Sequence, residues 1–379
     1  MSKIAYLSKS TLPSRTANSV HVMKMCQALA NEGNKVTLYS YKGEQNDDIF
    51  DFYGVKKIFS VVRTRRIFNN FIQPLIHYIK VKWSFHRDNS HDTIYSRDLL
   101  TIYFFRNKEI PIAYEAHSYP MSKINIKLEN ALFKSKSFKF LGVISKALEE
   151  KYMEMYPDLL KGKIIVLPDG ADLPLEIDDL NDQENLSTQL FDQNRNQIGY
   201  IGHLYKGRGI DIVIEISKRL KDCDFHIIGG EQKDIEYWSN LAGKQKNIFF
   251  HGFVPNSKLF YYYNQLDILL APYQAEVMIG NGKTDTSKWM SPMKIFEYMS
   301  YKKCIISSDL DVLREVLVDR YNSILVHPTS VDAWVSGITE VINDKNLYKE
   351  LSNNAYNDLV NKYTWAGRAK KIVDRFAIE

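Results

Sequence analysis

Three short segments of this 379-residue chain place glycines, capping residues and cations where an anion could be held. The first is the loop KSTLPSRTANS at 9–19, which leads from a strand-like run into a helix expected over about 19–32. Asn18 or Ser19 is placed to cap that helix and Gly33 to close it. Unpaired N–H groups and the positive end of the helix dipole then face the loop, so Asn18 and Ser19 mark an acceptor or phosphate loop. A simple capped helix is the competing reading.

The second segment runs Gly202-His203-Leu204-Tyr205-Lys206-Gly207-Arg208-Gly209. Glycines let backbone approach a phosphate, while Lys206 and Arg208 supply charge. The spacing is nearly that of an NTPase loop. Arg208 stands where the invariant lysine belongs, and Gly209 where the magnesium-binding hydroxyl belongs, so an NTPase is rejected. A diphosphate site or a plain turn remains. The third segment, KWMSPMKIFEYM at 288–299, is the most specific. Ser291 is expected as N-cap and Pro292 as first helical residue, leaving Met293 and Lys294 to present first-turn N–H groups. Glu297 follows Lys294 by three residues, on the same face, where a carboxylate can accept two ribose hydroxyls.

Other chemistries find less support. No G-x-G-x-x-G follows the first strand, which disfavours a dinucleotide fold. Asp222-Cys223-Asp224 and Asp309-Leu310-Asp311 have the form of a metal-holding D-x-D, but the pattern is common in loops and both are read as structural. The nine histidines show no zinc motif, and Cys26, Cys223 and Cys304 have no ligand spacing. No metal and no cofactor is expected.

Short apolar runs alternate with amphipathic stretches, the signature of βαβ units around parallel sheets. Strands are expected at Lys3–Ser8, Lys35–Tyr41, Lys57–Val62, Thr93–Ser96, Pro111–Ala116, Leu141–Ile144 and Ile164–Leu167. After an acidic polar stretch the pattern restarts at Gln197–Ile201, Phe225–Ile228, Ile248–Phe253, Ile268–Ala271, Cys304–Ser307 and Ser323–Val326. The expectation is α/β, two doubly wound domains in tandem: 1–175, a linker at 176–195, and 196–361. The cleft between them is the natural ligand site.

Charge divides along the same line. Residues 1–170 carry 26 Lys+Arg against 16 Asp+Glu, and residues 171–379 carry 24 against 29. Residues 52–87 hold no acid but hold Lys56, Lys57, Arg63, Arg65, Arg66, Lys80, Lys82 and Arg87, interleaved with Phe59, Phe68, Phe71, Tyr78, Trp83 and Phe85. Such a mix suits an anionic membrane surface. A solvated helix face is the alternative, and nucleic acid is disfavoured because no binding motif accompanies the patch. No apolar run reaches about 18 residues, and MSKIAYLSKS lacks a signal-peptide core. The expected location is cytoplasmic, peripheral on the inner face of the membrane.

The second half resembles the group 1 glycosyl transferases, more narrowly the retaining family 4 enzymes of the GT-B fold. The resemblance runs through IGYIGHLYKGRGID, FHIIGG, IFFHGFV, DILLAPY and SPMKIFEYMSYKKCIISSDLDVLREVL, covering most of 197–330. In the first half it is carried by the Ser14–Gly33 region, AYEAH, GVIS and VLPDGAD. It implies two Rossmann-like domains, a UDP- or GDP-sugar held chiefly by the second, and a glycan or lipid-linked acceptor on the first. It implies that Lys206 neutralises the diphosphate, that Glu297 holds the ribose, and that the Ser291–Lys294 turn meets the diphosphate. His117 matches a histidine near the reacting end of the sugar, and the segment 362–379 is expected to return to the first domain.

Three positions depart from the pattern. Trp289 replaces the first acid of E-x7-E, for which Glu276 or Asp285 are substitutes; His203 stands where Arg is common; and Ala17-Asn18-Ser19 replaces a Gly-Gly turn. The expected reaction is metal-free sugar transfer with retention, in polysaccharide, lipopolysaccharide or glycolipid assembly. A nucleotide-sugar epimerase and a degenerate nucleotide-sugar binder are the alternatives.

Overall fold

The computed structural model describes residues 1–44, 48–65, 72–87, 91–174, 191–192, 194–279 and 284–378. Arg66 lies outside the described residues, as do the side chain of Arg87 and most of the expected linker. The chain divides into two compact units: Met1–Asp169 with Trp365–Glu379, and Gly170–Thr364.

The first unit is built on seven strands: β1 (Lys3–Leu12), β2 (Lys35–Lys42), β3 (Ser60–Arg65), β4 (Thr93–Ser96), β5 (Ile112–Ala116), β6 (Phe138–Val143) and β7 (Ile164–Val166). They form one sheet in the order β3-β2-β1-β4-β5-β6-β7. All pairs are parallel. Central strands such as β4 and β5 are buried along their whole length, because helices cover both faces. β1 runs four residues past its expected end, since a bulge between Leu7 and Thr11 lets it stay paired with β2. The strand expected at Lys57–Val62 begins only at Ser60, after a left-handed turn at Gly54. The helix Trp365–Ala377 packs along the helix Ala17–Asn31 within this unit.

Buried among this unit's helices, Glu129 accepts hydrogen bonds from the hydroxyls of Tyr152 (2.7 Å) and Tyr156 (3.1 Å). Burial pushes its carboxyl up to about 7, against the lowering effect of the two hydroxyls. A carboxyl raised in the fold holds its proton longer than in the unfolded chain. The stability linked to that proton is full below about pH 4.5 and is lost as pH rises through about 7. Glu129→Gln, which cannot ionise, should therefore exceed wild type in stability at pH 8 by up to about 2–3 kcal/mol. Chemical denaturation should find little difference at pH 4; equal gains at both pH values would contradict this account.

The second unit repeats the plan with β8 (Asn196–Ile201), β9 (Cys223–Ile228), β10 (Ile248–Gly252), β11 (Ile268–Ala271), a two-stranded ribbon of β12 (Met278–Ile279) and β13 (Thr284–Asp285), β14 (Cys304–Ser308) and β15 (Ile324–Val326). The sheet order is β10-β9-β8-β11-β14-β15, all parallel. One face packs Ile210, Ile214, Trp334 and Ile338 against the strands; the other packs Phe296, Met299, Leu313 and Leu359. In each unit the order reverses beside the first strand, which opens a crevice at its carboxyl end. Tyr298 ties that reversal together: its hydroxyl accepts from Ile201 N (3.0 Å) and donates to Leu270 O (3.3 Å), joining β8 to β11.

Candidate active site

In the second unit, β8 delivers the chain to the crevice at Gly202, whose N–H bonds Ile228 O at 2.8 Å. Gly202 has φ 150°, and a Cβ there would collide with the ammonium end of Lys294. Gly207, at φ 84°, lies so close to Glu276 O that a side chain has no room. The loop is thus pressed onto 272–278: Gln274 N donates to Gly207 O (2.9 Å) and Met278 N to Lys206 O (3.2 Å).

That geometry sorts the candidate cations. The Lys206 side chain is exposed. Arg208 is half-buried, its guanidinium 5.2 Å from the centre of the Tyr273 ring. Lys294 lies 4.6 Å from the centre of the Tyr200 ring. Burial brings its ammonium down to about 7; Arg208 lowers it further and Glu297 opposes the shift. Glu297 Oε2 accepts from Tyr263 OH at 3.0 Å. Arg208, Lys294 and Glu297 therefore form one charged cluster, with Lys206 outside it. His203 stacks on Tyr205, with ring centres 4.8 Å apart and planes within 5°.

The helix beside the cluster is Met293–Ser300. It starts one residue later than expected. Pro292 is the N-cap residue, which makes no side-chain capping hydrogen bond, and Ser291 precedes it. Proline's fixed φ is met equally well at this position, and the first-turn N–H groups of Met293 and Lys294 still lack i−4 carbonyls. Trp289 is buried. Asp285 is committed to the ribbon turn: it accepts from Val277 N (2.8 Å), Ser287 N (2.9 Å) and Ser287 OH (3.0 Å). Glu276 is exposed. Both D-x-D segments are engaged in ion pairs, Asp224 with Arg195 (2.8 Å) and Asp309 with Arg314 (2.5 Å).

In the first unit the crevice holds a different polar group. Glu115 and His117 are two residues apart at the end of β5, which points both side chains to one face. His117 Nε2 is 2.5 Å from Glu115 Oε1, and the imidazole is about a quarter exposed (26%). His21, from the helix Ala17–Asn31, sets Nε2 3.0 Å from the same oxygen and Nδ1 2.8 Å from Asp169 Oδ1. The first of these is a close ion-pair contact without hydrogen-bond alignment, the second a hydrogen bond. Arg368 donates to Glu115 Oε2 at 3.1 Å and to the carbonyls of Leu167 (3.1 Å) and Pro168 (2.9 Å). Tyr95 OH also donates to Oε2.

Burial alone would raise the Glu115 carboxyl. Arg368, His21 and the hydrogen bonds it accepts hold it well below its ordinary value instead. His117 is brought down to about 4, chiefly by burial and then by Arg97. His21, Glu115 and His117 are close enough to chelate an ion. However, Arg368 at 3.1 Å and Arg97 at 3.7 Å already place positive charge on the shared carboxylate, so the cluster is an ion-pair network.

The Asn18 and Ser19 expectation needs correction. Thr16 is the N-cap residue, and both positions fall inside the first turn. Ser19 is buried, with its hydroxyl held by Ser14, Thr16 and Thr11 O, and Asn18 donates to Ser10 OH. These side chains close the turn.

Arg63 and Arg65 lie on edge strand β3, and Lys80, Lys82 and Trp83 on the helix Ile72–Arg87, where Lys80, Lys82 and Trp83 are exposed. Of the segment's other described rings, Phe59 is buried, Tyr78 stacks on Phe104 and Phe85 on His91, while Phe68 and Phe71 lie outside the described residues. In their place Leu75 and Ile79 join Trp83 as an exposed stripe of period four. Among the described residues no helix is long and apolar enough to cross a membrane.

Sequence reasoning missed His21, Asp169, Tyr263 and Arg368. Glu115 carried a signal, an acid inside an otherwise apolar strand. Arg368 carried none, since its partner is 253 residues away.

Residues 181–358 match the family model described as glycosyl transferases group 1. A protein of Methanocaldococcus jannaschii described as the uncharacterized glycosyltransferase MJ1069 is 24% identical over 357 residues, covering 89% of this chain and 83% of that protein. Among solved structures, sucrose-phosphate synthase from Thermosynechococcus elongatus is similar at TM-score 0.73 and 16% identity, over 100% of this chain and 98% of the other. Alr3699/HepE from Anabaena, solved in complex with UDP-glucose, is similar at TM-score 0.72 and 16% identity over 100% of both chains. Two doubly wound parallel-sheet units give this chain the fold of those GT-B glycosyltransferase structures, and its second half, at 181–358, is similar to the group 1 glycosyl transferases.

Proposed function

We propose that the chain is a retaining family 4 enzyme that moves a hexosyl or pentosyl unit from a UDP- or GDP-sugar to a glycan or lipid-linked acceptor, without a metal. The observation that carries this reading is the convergence of Arg208, Lys294, Glu297 and the start of the helix Met293–Ser300 at the carboxyl end of β8. Those groups suit a nucleoside diphosphate: cations and N–H groups for the phosphates, a carboxylate for the ribose. The bond from the anomeric carbon to the β-phosphate oxygen breaks while one to the acceptor hydroxyl forms on the same face. The acceptor proton passes to the departing phosphate oxygen. Charge growing on that phosphate meets preorganised Arg208, Lys294 and helix N–H groups, with Lys206 at the rim. By the same resemblance, His117 is the first-unit residue proposed to act on the sugar.

The test is a thermal-shift screen of UDP, GDP, ADP and their common sugar conjugates, followed by NMR of the product anomer. A shift with one nucleotide and a retained anomer are expected. An inverted anomer overturns the mechanism, and binding without transfer to any acceptor favours a degenerate binder with Trp289 in place of the first acid.

The acceptor is proposed to lie in cell-surface polysaccharide, lipopolysaccharide or glycolipid assembly, at the inner face of an anionic membrane. Support comes from the exposed Leu75–Ile79–Trp83 stripe flanked by Lys80 and Lys82. Each cation near such a surface contributes about 1 kcal/mol. Reversing Arg63, Arg65, Lys80 and Lys82 to Glu should therefore lower co-sedimentation with anionic vesicles at least tenfold, and neutral vesicles should bind neither form. Equal sedimentation of wild type and variant would refute the patch.

A further inference from the structure

We propose that Glu115 and Arg368 are positioning residues that hold His117 as its Nε2–H tautomer, so that Nδ1 is left as the acceptor for a hydroxyl of a ligand. The inference rests on the reading of His117 given above. The geometry runs in one direction. Glu115 presents Oε1 to His117 Nε2 at 2.5 Å and Oε2 to the Arg368 guanidinium at 3.1 Å. A carboxylate facing two arginines is an acceptor only, so the proton on the facing imidazole nitrogen belongs to the imidazole. Among the described residues no hydrogen bond is made by Nδ1, and the ring as a whole is about a quarter exposed.

His117 is neutral at working pH, with one proton to place. Nε2–H toward Glu115 leaves the Nδ1 lone pair outward, and a hydroxyl is the group that such a lone pair recognises. The ring is also held from the side by His21, edge-on at 5.2 Å, which in turn packs edge-on against Trp365 at 5.0 Å. Trp365 and Arg368 both come from the C-terminal helix. The last segment of the chain thus sets the proton position on a residue 251 positions earlier, and a chain lacking it would keep its nucleotide site but lose the orientation of His117.

Two-bond 15N–1H correlation spectra of the full chain, with the His117 signals assigned by His117→Ala, read the tautomer directly. Wild type should show Nε2–H at more than about nine parts in ten between pH 6 and 8. Wild type as the Nδ1–H form overturns the proposal without any variant. Glu115→Gln and Arg368→Lys, which keep the size of each group, should give a mixed tautomer. They should also lower kcat by 10- to 100-fold, with the affinity for UDP unchanged. If His117→Ala is inactive while Glu115→Gln folds, keeps the wild-type tautomer and transfers within threefold of wild type, the relay is wrong and the function stands. If His117→Ala transfers normally, the role given to His117 fails, and with it the catalytic part of this inference. A lost UDP shift in Glu297→Ala would still support the donor site.

Discussion

Replacing Arg368 by Met should cost the protein about 3–5 kcal/mol of stability. Arg368 and Glu115 are both buried, at 3% and 0% side-chain exposure, and they meet at 3.1 Å. Removing one member of such a pair leaves the other as an uncompensated buried charge, which is the expensive half of the exchange. Arg368 also donates to the carbonyls of Leu167 and Pro168, so two further acceptors lose their partner. Denaturation of the full chain at pH 7 checks the loss. The double variant Glu115→Gln/Arg368→Met should recover at least half of it, because no charge is then stranded. The sign with pH follows from Glu115, whose folded pKa lies well below the usual 4.5. Its contribution is present above about 4.5 and disappears as pH falls through the lower folded value. Arg368→Met should therefore lose most at pH 7 and least in acid. A cost below about 1 kcal/mol at pH 7, or one that grows in acid, would contradict the assignment.

The second large effect is on nucleotide binding. At 100 times its dissociation constant, a nucleotide that binds only the folded state adds about 2.7 kcal/mol of stability. Glu297 is half-buried at the crevice and accepts from Tyr263, and a carboxylate there suits ribose hydroxyls. Hydrogen bonds to a charged group are worth about 1.5–3 kcal/mol, so Glu297→Ala should weaken binding by about 10- to 100-fold. At the same nucleotide concentration the added stability should fall to about 0.4–1.4 kcal/mol. Tyr263→Phe, which removes that hydrogen bond but keeps the carboxylate, should weaken binding far less. An undiminished shift in Glu297→Ala would remove Glu297 from the nucleotide site.

The architecture was legible before the structure. Thirteen strand-like apolar runs, separated by amphipathic stretches, correspond to the thirteen strands of the two parallel sheets. The reason is physical: a strand covered by helices on both faces must be apolar at nearly every position, and Ile268–Ala271 shows it in four residues. Glycines were legible where the backbone needed them, as at Gly202 and Gly207, since only glycine tolerates both the φ and the closeness of Lys294 and Glu276. The resemblance of 197–330 to the group 1 glycosyl transferases rested on these same local patterns, and the match at 181–358 covers that span.

Burial and long-range partnership were decided by the tertiary structure alone. Lys206 and Arg208 are both cations in a glycine-rich loop, and nothing local says which one is exposed. The packing of 202–209 onto 272–278 decides it, leaving Lys206 in solvent and Arg208 against Tyr273. The sequence offers Lys294 through its backbone N–H, and only the packing of Gly202 and Tyr200 against its ammonium brings the side chain into the cluster. The rings at 59, 78 and 85 read as membrane anchors until each finds an interior partner, while Leu75 and Ile79 are left exposed. A motif records which residues are neighbours along the chain. The pairing of Arg368 with Glu115 depends on where the last helix docks, and that is set by the summed packing of the whole first unit.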